Sequence, residues 1–391
     1  MELARETSEN SDRLSGIHGL RAIAALAVVV FHVQGIHRLA IPSSFSLVQT
    51  HFGLGVQLFF VLSAFSLFFS TQHRVGKTHW IQDYFIRRFF RIAPLFYIML
   101  AVWFLMAQFK FNQRFPLYDL LLNVSFLFNL VPGRHDSIVW AGWTIGVEML
   151  FYAVLPVLLV YVRTIRLALV LTLTGATLSI AARMGYDASG LPLLQSYGHH
   201  AFLTQFGIFC GGVLSYFLYG RRTTYRFLAE NPALYSTLSV CGLGSMILLL
   251  ALPTESLILF GRTDILAWGI AFALLAGGQA SRPWPIFANR SLFFAGERSF
   301  SIYLLHPFII YGLGPVYFKI YLILGSHIGI AFICCVLVTL IVLLPASAMT
   351  YSLIEAPGMN IGRWLIRRNR DLNGRKHIIA SAATPLPTGE T

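Results

Sequence analysis

The sequence predicts an all-α polytopic membrane protein with about ten transmembrane helices and both termini in the cytoplasm. Three observations support this prediction: the composition, a series of long apolar stretches, and the distribution of basic residues between them. Hydrophobic residues make up 56% of the 391 residues, charged residues only 12%, and the mean hydropathy is +0.68. A water-soluble domain carries roughly 25% charged residues, so lipid is the expected solvent for this chain.

Apolar stretches long enough to cross a membrane, about 20 residues each, recur along the whole chain. They lie near 17–36, 51–71, 91–109, 143–163, 165–184, 200–219, 233–252, 263–280, 299–318 and 328–353. Residues 118–130 are apolar but short, which indicates a re-entrant or interfacial segment. Pro307 and the 312–315 segment (Gly-Leu-Gly-Pro) interrupt the ninth stretch, so an irregular outer end is expected there.

Basic residues cluster on one side of this predicted topology. If the N-terminus is cytoplasmic, 22 of the 29 Lys and Arg residues fall in cytoplasmic segments, as the positive-inside rule requires. The net charge of +13 therefore indicates membrane orientation and not nucleic-acid binding. The predicted organisation is a cytoplasmic tail at 1–13, a transmembrane domain at 14–357 and a basic, largely disordered cytoplasmic tail at 358–391.

Arg21 and His32 are the most informative charged and titratable residues of the first span. Their spacing of eleven residues places them on one helix face, about 16 Å apart along the axis. Arg21 lies at the cytoplasmic end and His32 nearer the outer end. Ionisable groups inside a span are costly and indicate function. The alternatives are that Arg21 anchors the helix to lipid phosphate and that His32 is a packed polar residue.

Arg87, Arg88 and Arg91 form a compact cationic patch where the third span begins. Spacings of three and four residues bring them to neighbouring faces of one helix. Guanidinium groups suit phosphate geometry, which favours an anion site at the inner surface. The alternative is the ordinary positive-inside bias of a cytoplasmic loop.

Glu148 and His306 join His32 as candidate ionisable residues inside predicted spans, and Glu355 follows the last predicted span. Glu148 lies about 7 Å from the outer end of the fourth span, at a predicted depth similar to that of His32, so a pair in which the carboxylate orients the imidazole is expected. A structural ion pair is the alternative. His306 precedes Pro307 and favours a structural role, and Glu355 marks the end of the last span. The four cysteines lie in apolar runs without metal-ligand spacing, so no metal is predicted.

Taken in order, five segments resemble the motifs of the membrane acyltransferase 3 family over residues 14–357. They are 20–32, with ten residues between a basic residue and a histidine, then 55–65, 87–94, 143–152 and 299–306. The chain departs from the family pattern at His18 in place of Asp, at Gln57 in place of Asp or Glu, and at Ala64 in place of Gly. These departures leave the family roles of two acidic side chains unfilled.

The resemblance implies transfer of an acyl group, usually acetyl, from cytoplasmic acetyl-CoA or another acyl-CoA to a glycan hydroxyl at a bacterial plasma membrane. Acyl-CoA is then a co-substrate, with no bound cofactor. The partners are a lipid-linked or polymeric glycan and membrane lipids, without nucleic acid, and a homodimer stays open.

The resemblance also assigns roles to residues. Arg21 and the arginine patch would bind the CoA phosphates, and His32 would act as a general base or become transiently acylated. Glu148 would orient His32, whereas Trp143, Tyr303 and His306 would bind the acceptor. Two other functions stay open: a secondary transporter, which also has buried ionisable residues and interrupted helices, and a non-catalytic family member.

Overall fold

The computed structural model describes residues 14–219, 232–252 and 264–382, which form helices joined by loops and contain no strand. The predicted tail at 1–13 lies outside the described residues. The helices are α1 (Ser15–His37), α2 (Ser46–Thr50), α3 (Gly55–Thr71), α4 (Trp80–Phe109), α5 (Leu117–Val124), α6 (Trp143–Tyr161), α7 (Ile165–Ala188), α8 (Pro192–His200), α9 (Phe202–Leu218), α10 (Pro232–Ala251), α11 (Asp264–Ser281), α12 (Arg290–Glu297), α13 (Ser299–Gly312), α14 (Gly314–Ile323), α15 (Ile328–Thr350) and α16 (Ala356–Ala382).

Each of the ten predicted apolar stretches corresponds to a helix or a helix pair. Among the described residues, eight helical segments are long and apolar enough to cross a membrane. A ninth is obtained if α13 and α14, which bend by 60° at their junction, form one broken span, as the Gly-Leu-Gly-Pro segment predicted. The tenth stretch forms α11, a shorter apolar helix. The polytopic helical fold is confirmed, whereas the cytoplasmic placement of both termini stays a prediction.

Helices α1 and α3 lie at the centre of the bundle because small residues let their neighbours approach closely. A Cβ atom on Gly55 of α3 would lie 2.5 Å from the carbonyl oxygen of Ala24 on α1. A Cβ atom on Gly212 of α9 would lie 2.3 Å from the carbonyl oxygen of Val61 on α3. Close backbone contact of this kind replaces the hydrophobic driving force that helices lack in lipid. On its other sides α1 packs against α12 and α13.

The segment between α4 and α6 folds into the bundle instead of crossing it. Helix α5 has only eight residues, and the 3-10 turn Phe128–Leu130 that follows is largely buried. Asn129 Nδ2 donates to the carbonyl oxygen of His200, and Asn129 Oδ1 accepts from the amide of Phe202. The predicted re-entrant or interfacial segment is therefore pinned beside the start of α6 and the junction of α8 with α9.

The chain stays helical beyond the last span, where a largely disordered tail was predicted. A π-helical turn, Tyr351–Glu355, joins α15 to α16. Cβ atoms on Gly358 and Gly362 would lie within 3.0 Å of Phe90 on α4, and Arg370 pairs with Asp83 of α4. The prediction of disorder is wrong where α16 packs on α4, because small residues and an ion pair dock it there. Residues 383–391 lie outside the described residues.

Candidate active site

Three adjoining cavities run from one end of the bundle toward its centre. The first, which we call the basic mouth, has about 290 Å³ and is lined by Arg74, Lys77, Arg87, Arg88 and Arg370 among others. The second, the central cavity, has about 330 Å³ and is lined by Arg21, His18, Arg88, Arg91, Glu148 and Tyr152 among others. The third, the end cavity, has about 40 Å³ and is lined by Arg21, Thr144, Glu148 and Tyr303 among others.

Shared wall residues show that these cavities are neighbours. Ser70 and Arg88 line both the basic mouth and the central cavity. Arg21, Ser63 and Glu148 line both the central and the end cavity. A ligand that binds in the basic mouth could therefore reach toward Glu148 past a wall formed by α1, α3, α4 and α6.

The predicted arginine patch is divided between two of the cavities. Arg87 turns to the basic mouth, where its Nη2 lies 3.4 Å from Oδ2 of Asp83. Arg88 donates to Ser70 Oγ at 3.1 Å, and its buried Nε has no hydrogen-bond partner. Arg91 lines the central cavity together with Arg21. Arg88 therefore places a guanidinium group with unused hydrogen-bonding capacity where two cavities meet, as an anion site requires.

Arg21 and His32 face the same neighbouring helix, as their spacing predicted. Arg21 Nε donates to Ser299 Oγ at 3.3 Å, and His32 Nδ1 lies 3.2 Å from His306 Nε2. Ser299 and His306 both belong to α13, so α1 and α13 run side by side in the same direction. Arg21 and His32 therefore contact α13 at two points along the same α1–α13 interface.

The expected pairing of Glu148 with His32 is wrong. The Glu148 carboxylate accepts hydrogen bonds from Ser63 and, at 2.5 Å, from Tyr152, and it lines the cavities beside Arg21. The reason is the register of α6: its second residue, Thr144, donates to the hydroxyl of Tyr303 at 2.9 Å. Helix α6 thus begins beside the Tyr303 side chain and not beside His306. Glu148 lies one turn further along α6, about 6 Å from Thr144 along the helix axis and away from the histidine pair.

His306, not Glu148, is the partner of His32. His306 Nδ1 donates to the carbonyl oxygen of Tyr303 at 2.5 Å, which leaves Nε2 as the acceptor in the neutral ring. His32 Nδ1 lies 2.9 Å from the carbonyl oxygen of Val28 as well as near His306. Both contacts require the proton on Nδ1 of His32. The hydrogen-bond pattern therefore assigns a free lone pair to His32 Nε2, the nitrogen that a general base needs.

Tyr303 stands between the end cavity and the histidine pair. Its ring centroid lies 5.5 Å from that of His306, and its hydroxyl donates to the carbonyl oxygen of Ala141 at 3.1 Å. Trp143, predicted to bind the acceptor, is not among the residues that line the three cavities. Its indole packs on the imidazole of His200, with ring centroids 4.4 Å apart. Its role stays a prediction.

Glu355 and His18 lie in or beside this region, although sequence patterns predicted only minor roles for them. Glu355 is 1% exposed, lies on the π-helical turn, and accepts a hydrogen bond from Ser301. Isolated π turns occur often at functional sites, but no sequence pattern reveals one. His18 lines the central cavity with a buried Nδ1 that has no hydrogen-bond partner. Its position one turn before Arg21 was the available signal.

Comparison with known proteins gives one matching family profile and several relatives. The sequence profile of a family described as an acyltransferase domain matches residues 14–345. Peptidoglycan O-acetyltransferase OatA of Listeria monocytogenes is 25% identical over 338 residues, which cover 80% of this chain and 52% of OatA. Exopolysaccharide production protein ExoZ of Rhizobium meliloti is 29% identical over 269 residues, which cover 66% of this chain and 76% of ExoZ.

The chain therefore spans about half the length of OatA and about three quarters of that of ExoZ. No solved structure matches it.

Proposed function

Because the chain belongs to the acyltransferase domain family, whose profile covers most of its length, we propose that it is a membrane O-acyltransferase. It moves an acyl group, such as acetyl, from cytoplasmic acyl-CoA to a hydroxyl of an envelope or exported glycan at a bacterial plasma membrane. The observation that carries this proposal is the row of adjoining cavities that leads from a basic mouth toward His32 and His306. The names of two relatives, which refer to peptidoglycan O-acetylation and to exopolysaccharide production, support a glycan acceptor.

The donor side of the proposal rests on charge. The basic mouth places five cationic side chains around one carboxylate, that of Asp83. The phosphates of CoA are anions that guanidinium forks bind in a bidentate manner. In the central cavity the three guanidinium groups of Arg21, Arg88 and Arg91 outnumber the two carboxylates, those of Glu148 and Glu297, which suits the remaining phosphates and the polar pantetheine arm. The thioester then points toward the end cavity.

The reaction itself follows from the free lone pair on His32. In the proposed step, the acceptor hydroxyl oxygen attacks the thioester carbonyl carbon, and the hydroxyl proton passes to His32 Nε2. The carbon–sulfur bond breaks, and the CoA sulfur leaves as a thiolate that can recover this proton. The same lone pair would also allow His32 to be acylated transiently before transfer. His306 is the positioning residue, since it accepts from Nδ1 and keeps Nε2 free.

The proposal requires a movement of Tyr303. His32 and His306 are not among the residues that line the end cavity, and the Tyr303 ring lies between that cavity and His306. Only two hydrogen bonds hold its hydroxyl, to Ala141 and Thr144. A shift of this ring would join the end cavity to the histidine pair.

The experiment that tests the function uses purified protein in lipid vesicles. Acetyl-CoA labelled in the acetyl group is supplied with glycan oligosaccharides, and both CoA release and label on the glycan are measured. We expect acceptor-dependent CoA release that His32→Ala abolishes and His327→Ala leaves unchanged, because His327 lies in the exposed turn between α14 and α15. CoA release that is equal in wild type and His32→Ala, without label on any glycan, would contradict the proposal.

A further inference from the structure

A second cluster of titratable side chains lies outside the three cavities. His135 and Asp136 belong to the loop that precedes α6, and His200 is the last residue of α8. One nitrogen of each imidazole and one carboxylate oxygen lie within 4.8 Å of one another. Neither the acyl-transfer step nor the donor cavities use these residues.

The separations within this cluster suit a shared metal ion. Asp136 Oδ1 lies 3.1 Å from His200 Nδ1 and 3.6 Å from His135 Nε2. Ligand atoms bound tetrahedrally to Zn²⁺ at its usual bond lengths of about 2.0–2.1 Å lie about 3.3 Å apart. The two separations fall on either side of that value, so small side-chain movements would complete three ligand positions.

The two imidazoles are held in place by their surroundings. His135 is 2% exposed and packs against the Tyr197 ring at 5.2 Å. The ring of His200 packs on Trp143, and Asn129 binds its carbonyl oxygen. His135 Nε2 is a buried atom without a hydrogen-bond partner, and it faces the same Asp136 oxygen that His200 Nδ1 contacts within hydrogen-bonding distance. An unsatisfied buried nitrogen beside an imidazole–carboxylate pair leaves a place for a partner common to all three groups.

We propose that His135, Asp136 and His200 bind one divalent transition-metal ion, with Zn²⁺ the best match to two imidazoles and a carboxylate. The ligand atoms are His135 Nε2, Asp136 Oδ1 and His200 Nδ1. A fourth position is open to water, because the Asp136 side chain is 68% exposed. An open position of this kind is typical of three-ligand zinc sites.

Binding of the metal ion through His135 Nε2 requires the loss of one hydrogen bond to His135. The amide of Gly133 donates to His135 Nδ1 at 3.1 Å, which places the ring proton on Nε2. Coordination through Nε2 moves that proton to Nδ1, so the Gly133 amide must release the ring. Gly133 is exposed and has a φ of +83°, so its amide can turn to water.

The ion would tie the loop before α6 to the end of α8. That loop carries Ala141, whose carbonyl oxygen holds Tyr303, and it leads directly into Trp143 and α6. The metal ion would therefore stabilise the loop and helix that hold Tyr303, without itself lining the candidate active site. It does not take part in acyl transfer, so its test is independent of activity.

The test measures Zn²⁺ binding to purified protein from which any polyhistidine tag has been removed and which has been treated with a chelator. Competition with a chromogenic chelator should give one Zn²⁺ per chain, and added Zn²⁺ should raise Tm through its preference for the folded state. Asp136→Asn, at an exposed side chain that leaves packing intact, should weaken binding roughly tenfold or more. The double variant His135→Gln/His200→Gln should abolish it.

The matched control is His327→Gln, which removes an imidazole from a different exposed turn and should bind like wild type. Size-exclusion profiles and circular dichroism establish that each variant is folded. If the wild type binds no Zn²⁺ in the micromolar range, or if Asp136→Asn and the control bind equally well, the proposal is wrong. Asp136→Asn keeps the test decisive if the buried His135 cannot be replaced without unfolding.

Discussion

Nδ1 of His32 lies 3.2 Å from Nε2 of His306, and this contact, together with the one to the carbonyl oxygen of Val28, leaves Nε2 of His32 free to accept a proton. The carbonyl oxygen of Tyr303 holds the proton of His306 on Nδ1, so His306 can only accept from His32. A chain of hydrogen bonds thus links the carbonyl oxygen of Tyr303 to the imidazole of His306 and then to that of His32, and it contains no carboxylate. It is a neutral version of the base–orienter pair used in nucleophilic and general-base catalysis.

Replacement of His306 should affect the rate more than donor binding. His306→Leu removes one of the two acceptors for His32 Nδ1 and leaves the carbonyl oxygen of Val28 as the other. We therefore expect kcat to fall by roughly 10- to 100-fold with KM for acetyl-CoA nearly unchanged, less than the 10²–10⁴-fold expected for loss of the base itself. His306→Gln offers an amide oxygen in place of Nε2 and should recover part of the rate. Steady-state kinetics of CoA release measures both. Equal losses for Gln and Leu would contradict the positioning role.

Glu148→Gln should weaken use of the donor without changing how activity depends on pH. Glu148 lies beside Arg21 and accepts from Ser63 and Tyr152, so the amide keeps the shape and removes the charge. Because an unbalanced buried charge beside Arg21 is costly, we expect kcat/KM for acetyl-CoA to fall by roughly tenfold or more. The midpoint of the pH–rate profile should stay where it is in wild type. A shifted midpoint would indicate that Glu148 acts on His32 after all.

Sequence reasoning identified relations within one helix and missed relations between helices. The period of an α-helix fixes the angle and axial distance between Arg21 and His32, and the structure places both against α13 as expected. The level of Glu148 depends on where α6 begins, and the folded segment before it sets that level below His306. No spacing within α6 contains this information. The partner of His32 was misassigned for that reason.

The difference between local and tertiary information also explains why the spans were predicted and the C-terminal helix α16 was not. Apolar length predicted the long helices, and glycine and proline residues predicted the break between α13 and α14, because these are properties of local sequence. The docking of α16 depends on contacts of Gly358 and Arg370 with a helix more than 250 residues earlier. Polar composition alone favoured disorder, and only tertiary contacts override it.

Gly212→Ala should destabilise the bundle. A Cβ atom there would lie 2.3 Å from the carbonyl oxygen of Val61 and 2.8 Å from Cβ of Ala64, so α9 must move away from α3. Over-packing of this kind costs about 1–3 kcal/mol, seen as a lower Tm in detergent. Gly185→Ala on α7 is the matched control, since a Cβ atom there meets nothing within 4 Å. Equal Tm values for the two variants would contradict close packing of α3 and α9.

Arg88 should bind the phosphates of acetyl-CoA, and a donor that lacks these phosphates can test this role. Arg88 lies where the basic mouth meets the central cavity, with a buried Nε that has no hydrogen-bond partner. Arg88→Ala should raise KM for acetyl-CoA roughly tenfold, the effect of losing one charge-assisted hydrogen bond. S-acetylpantetheine lacks the phosphates, so its KM should be nearly the same in wild type and variant.

The matched control for Arg88 is Arg363→Ala, which removes an exposed guanidinium from α16 that bonds only to Asn360 among the described contacts. It should leave KM unchanged for both donors. Added salt should raise KM for acetyl-CoA in wild type more than in Arg88→Ala, because screening weakens an interaction that the variant has already lost. If Arg88→Ala changed KM equally for the two donors, the side chain would support the protein wall and not the phosphates. The basic mouth would then need another ligand.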